Sequence, residues 1–500
     1  MIAVPADCPL RLGTSDEFAV IRNFFRQAEF EDANLCRVLG VGGMHDFGGV
    51  RWMEIKLELL PAPLAWCIQF FARGLPVDEE KTRIICGEKV FAALHAVGLL
   101  RFAKRNPADV VCPVWVYPAD GFVMVSDRRE DPEGDPFTPP ADVVFPAIYP
   151  GTLRFLRLLP EARDGDALDL CGGSGIGALH CSRSAGYSAT ADITARSAFF
   201  AKFNARLNGI DIGNFCGDLY DAVADRQFDL ISAHPPFVPT TGQAMVYRDG
   251  GETGEAVTRR IVEGLPPHLR VGGTAVVLCV ACDIDNKTFE QRASEWLGEA
   301  RAEFDVVFGL EKILPVEDVV ESMRNRGQQI GEEVARELYA RLRSAGTRQF
   351  VYGALFIRRH AERIAAEPVR VQLTSTGGAA DFERLLSWRH RCRQPGFSGW
   401  LAESRPRLAP RLLLTARHVV QDGDLVPAEF VFSIEAGFAS ALKPDAWVVP
   451  LVARLNGKKT VCEVFEEALH ADELPAGFTL EAFKGLVQRM IDLELMTVPE

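Results

Sequence analysis

The chain has 500 residues, more than a single hydrophobic core usually supports, so we expect about three domains. Its composition, 48% hydrophobic and 25% charged, is that of a soluble globular protein. The net charge of −13 argues against a protein that holds duplex nucleic acid by bulk electrostatics, although a local basic groove stays compatible with it.

Neither a membrane segment nor a secretory signal is expected. No apolar run approaches the ~20 residues of a spanning helix, and the start of the chain lacks a basic stretch followed by an apolar one. We therefore expect a cytoplasmic protein. The single CxxC pair, Cys279 and Cys282, lies in a strand-like segment whose residues three apart point to opposite faces, so no metal site is expected.

Residues 1–140 are predicted to form a separate recognition module. Four helices are expected, over 18–30, 32–39, 61–73 and 89–100. Alternating segments at 114–117 and 122–126 then predict a hairpin. Helices followed by a hairpin favour a winged-helix-like α+β module, which either recognises nucleic acid or protein or only supports the next domain.

Residues 127–148 are rich in proline and aspartate and predict a linker over the surface. Strands and helices then alternate through a predicted central domain, 141–365. Seven strands are expected, at 167–171, 188–193, 214–218, 228–233, 274–280, 304–310 and 350–357. This alternation predicts an α/β, Rossmann-like domain with a seven-stranded, mostly parallel sheet and a ligand at the carboxyl ends of its strands. A helical insertion at 316–344 is placed to cap that site.

Residues 366–500 are predicted to form a second winged-helix-like α+β module. Strands are expected at 412–419 and 429–434 and helices at 461–469 and 480–493. An arginine-rich stretch comes first, and its arginines favour a solvated face over a phosphate contact.

The chain is organised around the segment 166–180, in which an apolar run ends in a cluster of glycines. Asp169 and Cys171 lead into Gly172, Gly173 and Gly175, and a helical pattern follows at once. A strand, a tight turn and a helix let the backbone approach a nucleotide-like ligand closely. The same spacing also fits the dinucleotide fingerprint.

Two acids follow at the ends of the next predicted strands. Asp192 lies 23 residues after Asp169, the spacing at which an acid meets ribose hydroxyls, and the neighbouring Thr194 is also placed to cap a helix. Asp218 is placed to accept a hydrogen bond from an adenine amino group, while Leu219 packs on the ring.

The fourth predicted strand ends in the sequence SAHPPFVP, residues 232–239. Two prolines fix a rigid, extended turn. The backbone carbonyl of Pro235 is then a free acceptor and Phe237 offers a flat face. A planar group that bears an amine can stack at this position.

Taken together, DLCGGSGIG, Asp192, GDLY and HPPF resemble the class I S-adenosylmethionine-dependent methyltransferases. They are most similar to the "small" subgroup, which carries an Asn/Asp-Pro-Pro-Phe/Tyr motif and includes the release-factor glutamine and the ribosomal guanine methyltransferases. The resemblance implies S-adenosylmethionine as cofactor, bound by Asp169, Cys171, Gly172, Gly173, Gly175, Asp192, Ile193, Asp218, Leu219 and His234. It implies methyl transfer at His234, Pro235 and Phe237. Substrate contacts are expected from Tyr149, Pro236, Arg248 and Glu252.

One residue departs from the family motif. His234 stands where the family has Asn, Asp or Ser, a side chain that accepts a hydrogen bond from the target amine. Neutral imidazole also has one acceptor nitrogen, but it can take a proton, with an ordinary pKa of about 6.5. His234 therefore implies either an altered amine substrate or an oxygen acceptor that is deprotonated or oriented by this base.

The leading hypothesis is a methyltransferase that acts on an amino or amide nitrogen of a protein side chain or an RNA. The first alternative is a small metabolite or peptide methylated at oxygen or nitrogen, with His234 as base. Two further alternatives are an NAD-dependent oxidoreductase and a non-catalytic scaffold that binds S-adenosylmethionine. The terminal modules favour a macromolecular acceptor, whereas the acidic charge and His234 favour a small one.

Overall fold

The computed structural model describes residue 5 and residues 7–240, 246–325, 330–363 and 366–498. The N-terminal part contains four helices, three short strands and a hairpin: α1 Ser15–Gln27, α2 Asp32–Leu39, α3 Ala62–Cys67, β1 Val77–Asp78, α4 Glu79–Ala96, β2 Arg101–Phe102, β3 Asp109–Val111, β4 Trp115–Ala119 and β5 Phe122–Ser126. Helix α1 begins where Thr14 and Glu17 form a capping box, and it buries an apolar face with Phe18 and Phe24.

The central part alternates strands and helices as predicted. Its elements are α5 Pro150–Arg157, β6 Asp166–Leu170, α6 Ile176–Cys181, β7 Tyr187–Asp192, α7 Ala195–Asn208, β8 Gly213–Cys216, β9 Phe228–Ala233, α8 Ala256–Glu263, α9 Leu265–His268, β10 Leu269–Ile284, α10 Phe289–Trp296, β11 Phe304–Pro315, α11 Val316–Asn325, α12 Glu332–Ser344 and β12 Thr347–Arg359. Each of the seven predicted strands overlaps one of these strands.

The central strands lie side by side in the order β8-β7-β6-β9-β10-β12-β11. The first five are mutually parallel, and β12 runs antiparallel to both of its neighbours. The carboxyl ends of β6, β7, β8 and β9 therefore meet at one edge, where ligands bind in such sheets. The sheet continues beyond these strands to a total of eleven, so the predicted seven strands are part of a larger sheet.

The hairpin predicted as the wing of the N-terminal module does not project freely from that module. Strands β4 and β5 pair only with each other among the described strands, whereas α4 leads into the separate sheet β1-β3-β2. The backbone of Val123 and Val125 exchanges hydrogen bonds of 2.8–3.0 Å with the side chains of Asn204 and Asn208 on α7. The hairpin is thus fixed against the central domain.

The C-terminal part contains β13 Val369–Leu373, α13 Ala379–Cys392, α14 Phe397–Glu403, β14 Arg407–Leu408, β15 Leu413–Gln421, β16 Asp424–Ala436, β17 Phe438–Leu442, α15 Val448–Ala453, α16 Val461–His470, α17 Leu480–Asp492 and β18 Met496–Thr497. Strands β13, β17, β16 and β15 extend the central sheet in that order. This differs from the predicted winged-helix-like module, because one continuous sheet crosses the predicted boundary at residue 366.

Two arginines of the C-terminal stretch support the core. Arg389 and Arg393 donate hydrogen bonds of 2.9 and 2.7 Å to Asp305, which is fully buried. The prediction of a solvated face is wrong for these two side chains, because a buried carboxylate requires charged partners.

The helical insertion lies beside the edge with the carboxyl ends. Helices α11 and α12 enclose a small apolar core that includes Phe350 of β12. Arg341 of α12 donates a hydrogen bond of 2.6 Å to the backbone carbonyl of Thr240, just after the HPPF segment. No helix among the described residues is long and apolar enough to cross a membrane.

Candidate functional site

A cavity of about 710 Å³ opens at the carboxyl edge of the central sheet. It gathers most of the residues that the sequence singles out: Tyr149, Asp169, Cys171, Gly172, Gly173, Asp192, Ile193, Asp218, Leu219, His234, Pro235, Pro236, Phe237 and Arg248. A cleft at this edge is where parallel α/β sheets bind their ligands. Two of the predicted residues, Gly175 and Glu252, lie outside its lining.

The glycine turn forms the floor of the cavity between β6 and α6. Gly173 has a φ of +52°, and a Cβ atom there would meet no atom within 4 Å, so its backbone faces open space. Gly172 has no such room, because its Cβ atom would collide with the hydroxyl of Thr190. Gly175, with a φ of +83°, is the N-cap of α6, and its Cβ atom would lie 2.8 Å from Cβ of Ala201. Gly175 therefore packs the turn against α7, and its predicted cofactor contact stays a prediction.

Asp192 links the end of β7 to the glycine turn. Its carboxylate accepts hydrogen bonds of 3.0 Å from the backbone N–H groups of Gly173 and Thr194. Burial raises the pKa of Asp192 above its ordinary value, although these hydrogen bonds oppose the shift. Thr194 in turn caps α7 by accepting a bond of 3.0 Å from the N–H of Ser197. Asp192 thus lines the cavity while its neighbour starts the helix, so the two interpretations of this segment are compatible.

Asp169 lies beneath the same turn. Its side chain is buried, with 3% of the residue exposed, and accepts a hydrogen bond of 2.9 Å from the hydroxyl of Ser232. Burial raises the pKa of Asp169 to about 7. A Cβ atom on Gly177 would collide with this carboxylate, so the carboxylate and the start of α6 fit closely together. Asp169 supports the turn from below.

One wall of the cavity is formed by residues that follow β8 and residues of α8. Asp218 forms an ion pair of 2.8 Å with Arg260, a cavity residue that carries no motif signal. Leu219 and Cys171 have φ angles of +50° and +56°, which non-glycine residues seldom adopt. Such strained backbone is typical of ligand sites.

His234 lies at the opposite end of the cavity, between two aromatic rings. Its ring centroid is 5.6 Å from that of Phe155 and 5.9 Å from that of Phe237, with interplanar angles of 30° and 28°. Burial lowers the pKa of His234 to about 4. The imidazole is therefore neutral near pH 7 and carries one acceptor nitrogen. No described residue forms a hydrogen bond or ion pair with it, so that nitrogen is available to a ligand.

Aromatic side chains also stack on one another in the cavity lining. The ring centroid of Phe145 is 4.3 Å from that of Tyr149 and 5.2 Å from that of Tyr247. The guanidinium carbon of Arg129 lies 4.7 Å from the Phe145 centroid. The sequence indicated only Tyr149 of this group, since Arg129 and Phe145 belong to the stretch predicted as a surface linker.

The loop after the HPPF segment places two predicted substrate contacts, Arg248 and Glu252, in different surroundings. Val238 exchanges backbone hydrogen bonds of 2.9 Å with Arg248 and Gly250, which places Arg248 in the cavity wall. Glu252 lies two residues further on, exposed and outside the cavity. Its role as a substrate contact stays a prediction.

The cysteine pair and the histidines form no metal centre in the part of the chain that the structure describes. Cys279 and Cys282 are both buried in β10, and they belong to two different apolar clusters. Residues three apart on one strand point to opposite faces of the sheet, so the two side chains pack in different clusters.

Comparison with known proteins identifies the domain that contains the cavity. Residues 146–287 match the family described as Methyltransferase small domain. A Methanocaldococcus jannaschii protein, named as a candidate protein N5-glutamine methyltransferase, is 28% identical over 145 residues, which is 27% of this chain and 73% of that protein. The ribosomal protein uL3 glutamine methyltransferase of Bradyrhizobium diazoefficiens is 27% identical over 200 residues, 35% of this chain and 62% of that enzyme.

A solved structure gives a weaker likeness. The ribosomal protein L11 methylase of Lactobacillus delbrueckii subsp. bulgaricus is 19% identical, with a TM-score of 0.24, over 42% of this chain and 77% of that one. A TM-score this low supports no conclusion about function. The family match and the curated relatives favour a methyl donor over a nicotinamide dinucleotide as the cofactor of the glycine turn.

Proposed function

We propose that this chain, which belongs to the class I S-adenosylmethionine-dependent methyltransferases, transfers a methyl group to the side-chain amide nitrogen of a protein. The observation that carries the proposal is His234, a neutral imidazole between two aromatic rings at the far end of the cavity. The names of the relatives, which are glutamine methyltransferases, support this acceptor.

The residues at the floor of the cavity fit the cofactor. S-adenosylmethionine supplies a methyl group on a positively charged sulfonium. The open backbone at Gly173 would admit its amino-acid end, Asp192 would bind the ribose hydroxyls, and Asp218 would accept from the adenine amino group. The Asp218–Arg260 ion pair is 39% and 52% exposed at its two side chains, so it leaves carboxylate surface open to a ligand.

The acceptor end fits a primary amide. An NH₂ group has two N–H donors, and two acceptors are available here: the ring nitrogen of His234 and the backbone carbonyl of Pro235, which receives no hydrogen bond from a described residue. A hydroxyl group has one donor only. Phe237 adds a flat surface for the planar amide, so the nitrogen is held in position for in-line transfer.

The low pKa of His234 disfavours the alternative in which this residue removes a proton from an oxygen acceptor. A general base is most effective when its pKa lies near the operating pH, and burial lowers the pKa of His234 to about 4. His234 is better suited to accept a hydrogen bond than to carry a proton away.

A second acceptor, the exocyclic amine of a nucleobase, is favoured by one observation. The stacked rings of Phe145, Tyr149 and Tyr247, with Arg129 above them, resemble a surface on which a flat base stacks. Such an amine also presents two N–H donors to His234 and Pro235.

The test uses S-adenosylmethionine with a radiolabelled methyl group, the full chain, and separate protein and RNA fractions. We expect label in the protein fraction, released as methylamine by acid hydrolysis of an N-methyl amide. His234→Asn, which restores the residue of the family motif, serves as the matched control and should label the same product. Label in RNA alone, or label released as methanol by mild base from a methyl ester, would overturn the amide proposal.

A further inference from the structure

A second cavity of about 510 Å³ lies at the opposite edge of the central sheet. It is bounded by the end of β12, the start of β10 and the last turn of α13, at the amino ends of the parallel strands. Its charged and polar lining includes Arg358, Arg359, His360, His390, Arg391 and Gln394. No described carboxylate lines it, although the whole chain has a net charge of −13.

Some arginines here have structural roles. Arg359 forms an ion pair of 2.9 Å with Glu303 and donates a hydrogen bond of 2.7 Å to the backbone carbonyl of Leu269. Behind the cavity, Arg389 and Arg393 neutralise Asp305, as described above. The charges of these side chains are compensated within the fold.

Two other arginines are not compensated. Arg358 donates a hydrogen bond of 3.3 Å to the hydroxyl of Ser387, and the guanidinium of Arg391 lies 4.9 Å from the ring centroid of Trp400. Neither comes within 4.0 Å of a carboxylate of any described residue, so both guanidinium groups keep donors for an anion. A concave surface that carries unpaired charge of one sign concentrates ligands of the opposite sign.

Two histidines complete the cavity. The rings of His360 and His390 stack with centroids 4.6 Å apart and an interplanar angle of 8°. Nε2 of His360 is buried and has no hydrogen-bond partner among the described residues; the nearest carboxylate oxygen, Oδ2 of Asp305, lies 3.9 Å away. This nitrogen therefore faces the buried carboxylate behind the cavity, and the imidazole ring lines the cavity itself.

We propose that this second cavity binds a phosphate group of a ligand. Guanidinium groups donate pairs of hydrogen bonds to phosphate oxygens in a geometry that an ammonium group cannot reproduce. Arg358 and Arg391 supply the charge, and the pair formed by Gln394 and His390, whose Nε2 atoms lie 3.0 Å apart, lines the cavity beside it. The site lies at the sheet edge opposite the methyltransferase cavity, so it does not depend on the function proposed above.

The test is calorimetric titration of the full chain, saturated with S-adenosylhomocysteine so that the cofactor end of the first cavity is filled. One arm uses inorganic pyrophosphate and the other uses a single-stranded oligoribonucleotide without a terminal phosphate. We expect the wild-type chain to bind at least one probe, and Arg358→Gln and Arg391→Gln each to weaken that binding about tenfold. Tighter binding of the oligonucleotide would identify a nucleic-acid backbone as the source of the phosphate, and tighter binding of pyrophosphate a small phosphorylated molecule.

Arg417→Gln is the matched control, because Arg417 is an exposed arginine on β15 without a described carboxylate partner. It should bind both probes like the wild-type chain. The proposal is wrong if neither probe binds to the wild-type chain, if the two cavity variants bind as tightly as it does, or if the control loses affinity equally. Thermal unfolding of each variant shows that a loss of affinity is not a loss of fold.

Discussion

The two ends of the first cavity, which we propose hold the cofactor and the acceptor, are built in different ways. The cofactor end consists of backbone and carboxylates from β6, β7 and β8, which follow one another along the chain. The acceptor end consists of aromatic rings and a neutral imidazole that come from segments far apart in sequence, including Phe145, Phe155, His234 and Tyr352. If one end binds the cofactor and the other the acceptor, variants at the two ends should have separable effects.

The largest effect is expected at His234. His234→Ala removes an acceptor for the N–H of the substrate, so the nitrogen is no longer held in line, and the rate of label incorporation should fall about 100-fold or more. His234→Asn should keep most of the rate, because its amide oxygen accepts at the same end of the cavity. An alanine variant as fast as the wild-type enzyme would contradict the role of this side chain.

The next effect concerns the cofactor end. Asp192→Asn removes a charged acceptor, and the affinity for S-adenosylhomocysteine should fall about thirtyfold, as measured by calorimetry. Asp211→Asn is the control, since Asp211 is an exposed acid of the same domain. Equal affinities of Asp192→Asn and the wild-type chain, or an equal loss in the control, would show that Asp192 does not bind the cofactor.

A smaller effect is expected beside the acceptor end. Tyr149→Leu removes a ring from the stack with Phe145, so the KM for the acceptor should rise by up to about tenfold while the affinity for S-adenosylhomocysteine changes little. Phe137→Leu is the control, because Phe137 lies in the segment 127–148, as Phe145 does, and is 42% exposed. If both variants raise KM alike, the stack has no specific part in binding the acceptor.

A pH dependence of stability, measured apart from binding and catalysis, is expected from Asp169. Its pKa rises from an ordinary 3.8 to about 7 in the folded chain, so the folded state holds a proton that the unfolded state has lost between these values. The contribution of Asp169 to the free energy of unfolding is fully present below pH 3.8 and declines as pH rises toward 7, by ~1 kcal/mol per pH unit. Chemical denaturation of Asp169→Asn should show a flatter pH profile. A profile equal to that of the wild-type chain would contradict the raised pKa.

The cofactor end could be predicted from the sequence because its information is local. The glycine turn at Gly173 and the acid Asp192 at the end of the next strand lie within about 25 residues of each other. Over so short a stretch, the residue types indicate both the backbone conformation and the class of ligand. The central strands could be predicted for the same reason, because the signal of each strand lies within its own segment. The packing of Gly175 against Ala201 of α7 could not be predicted, because the two residues come from different segments.

The acceptor end could not be predicted in the same way. Phe155 stacks on His234 from α5, nearly 80 residues earlier in the chain, and Arg260 reaches Asp218 from α8; neither contact leaves a periodic signal. The pKa of His234 depends on burial by these distant segments, so the sequence left a base open as an alternative to a hydrogen-bond acceptor. The C-terminal strands were likewise assigned to a separate module, because pairing of β13 with β11 cannot be read from either strand alone.

The separation of the two ends is tested most directly by calorimetric titration of His234→Ala with S-adenosylhomocysteine. If His234 serves the acceptor and the floor of the cavity serves the cofactor, the dissociation constant should stay within about threefold of the wild-type value although methyl transfer is lost. Loss of cofactor binding in this variant would contradict the division of the cavity into a cofactor end and an acceptor end.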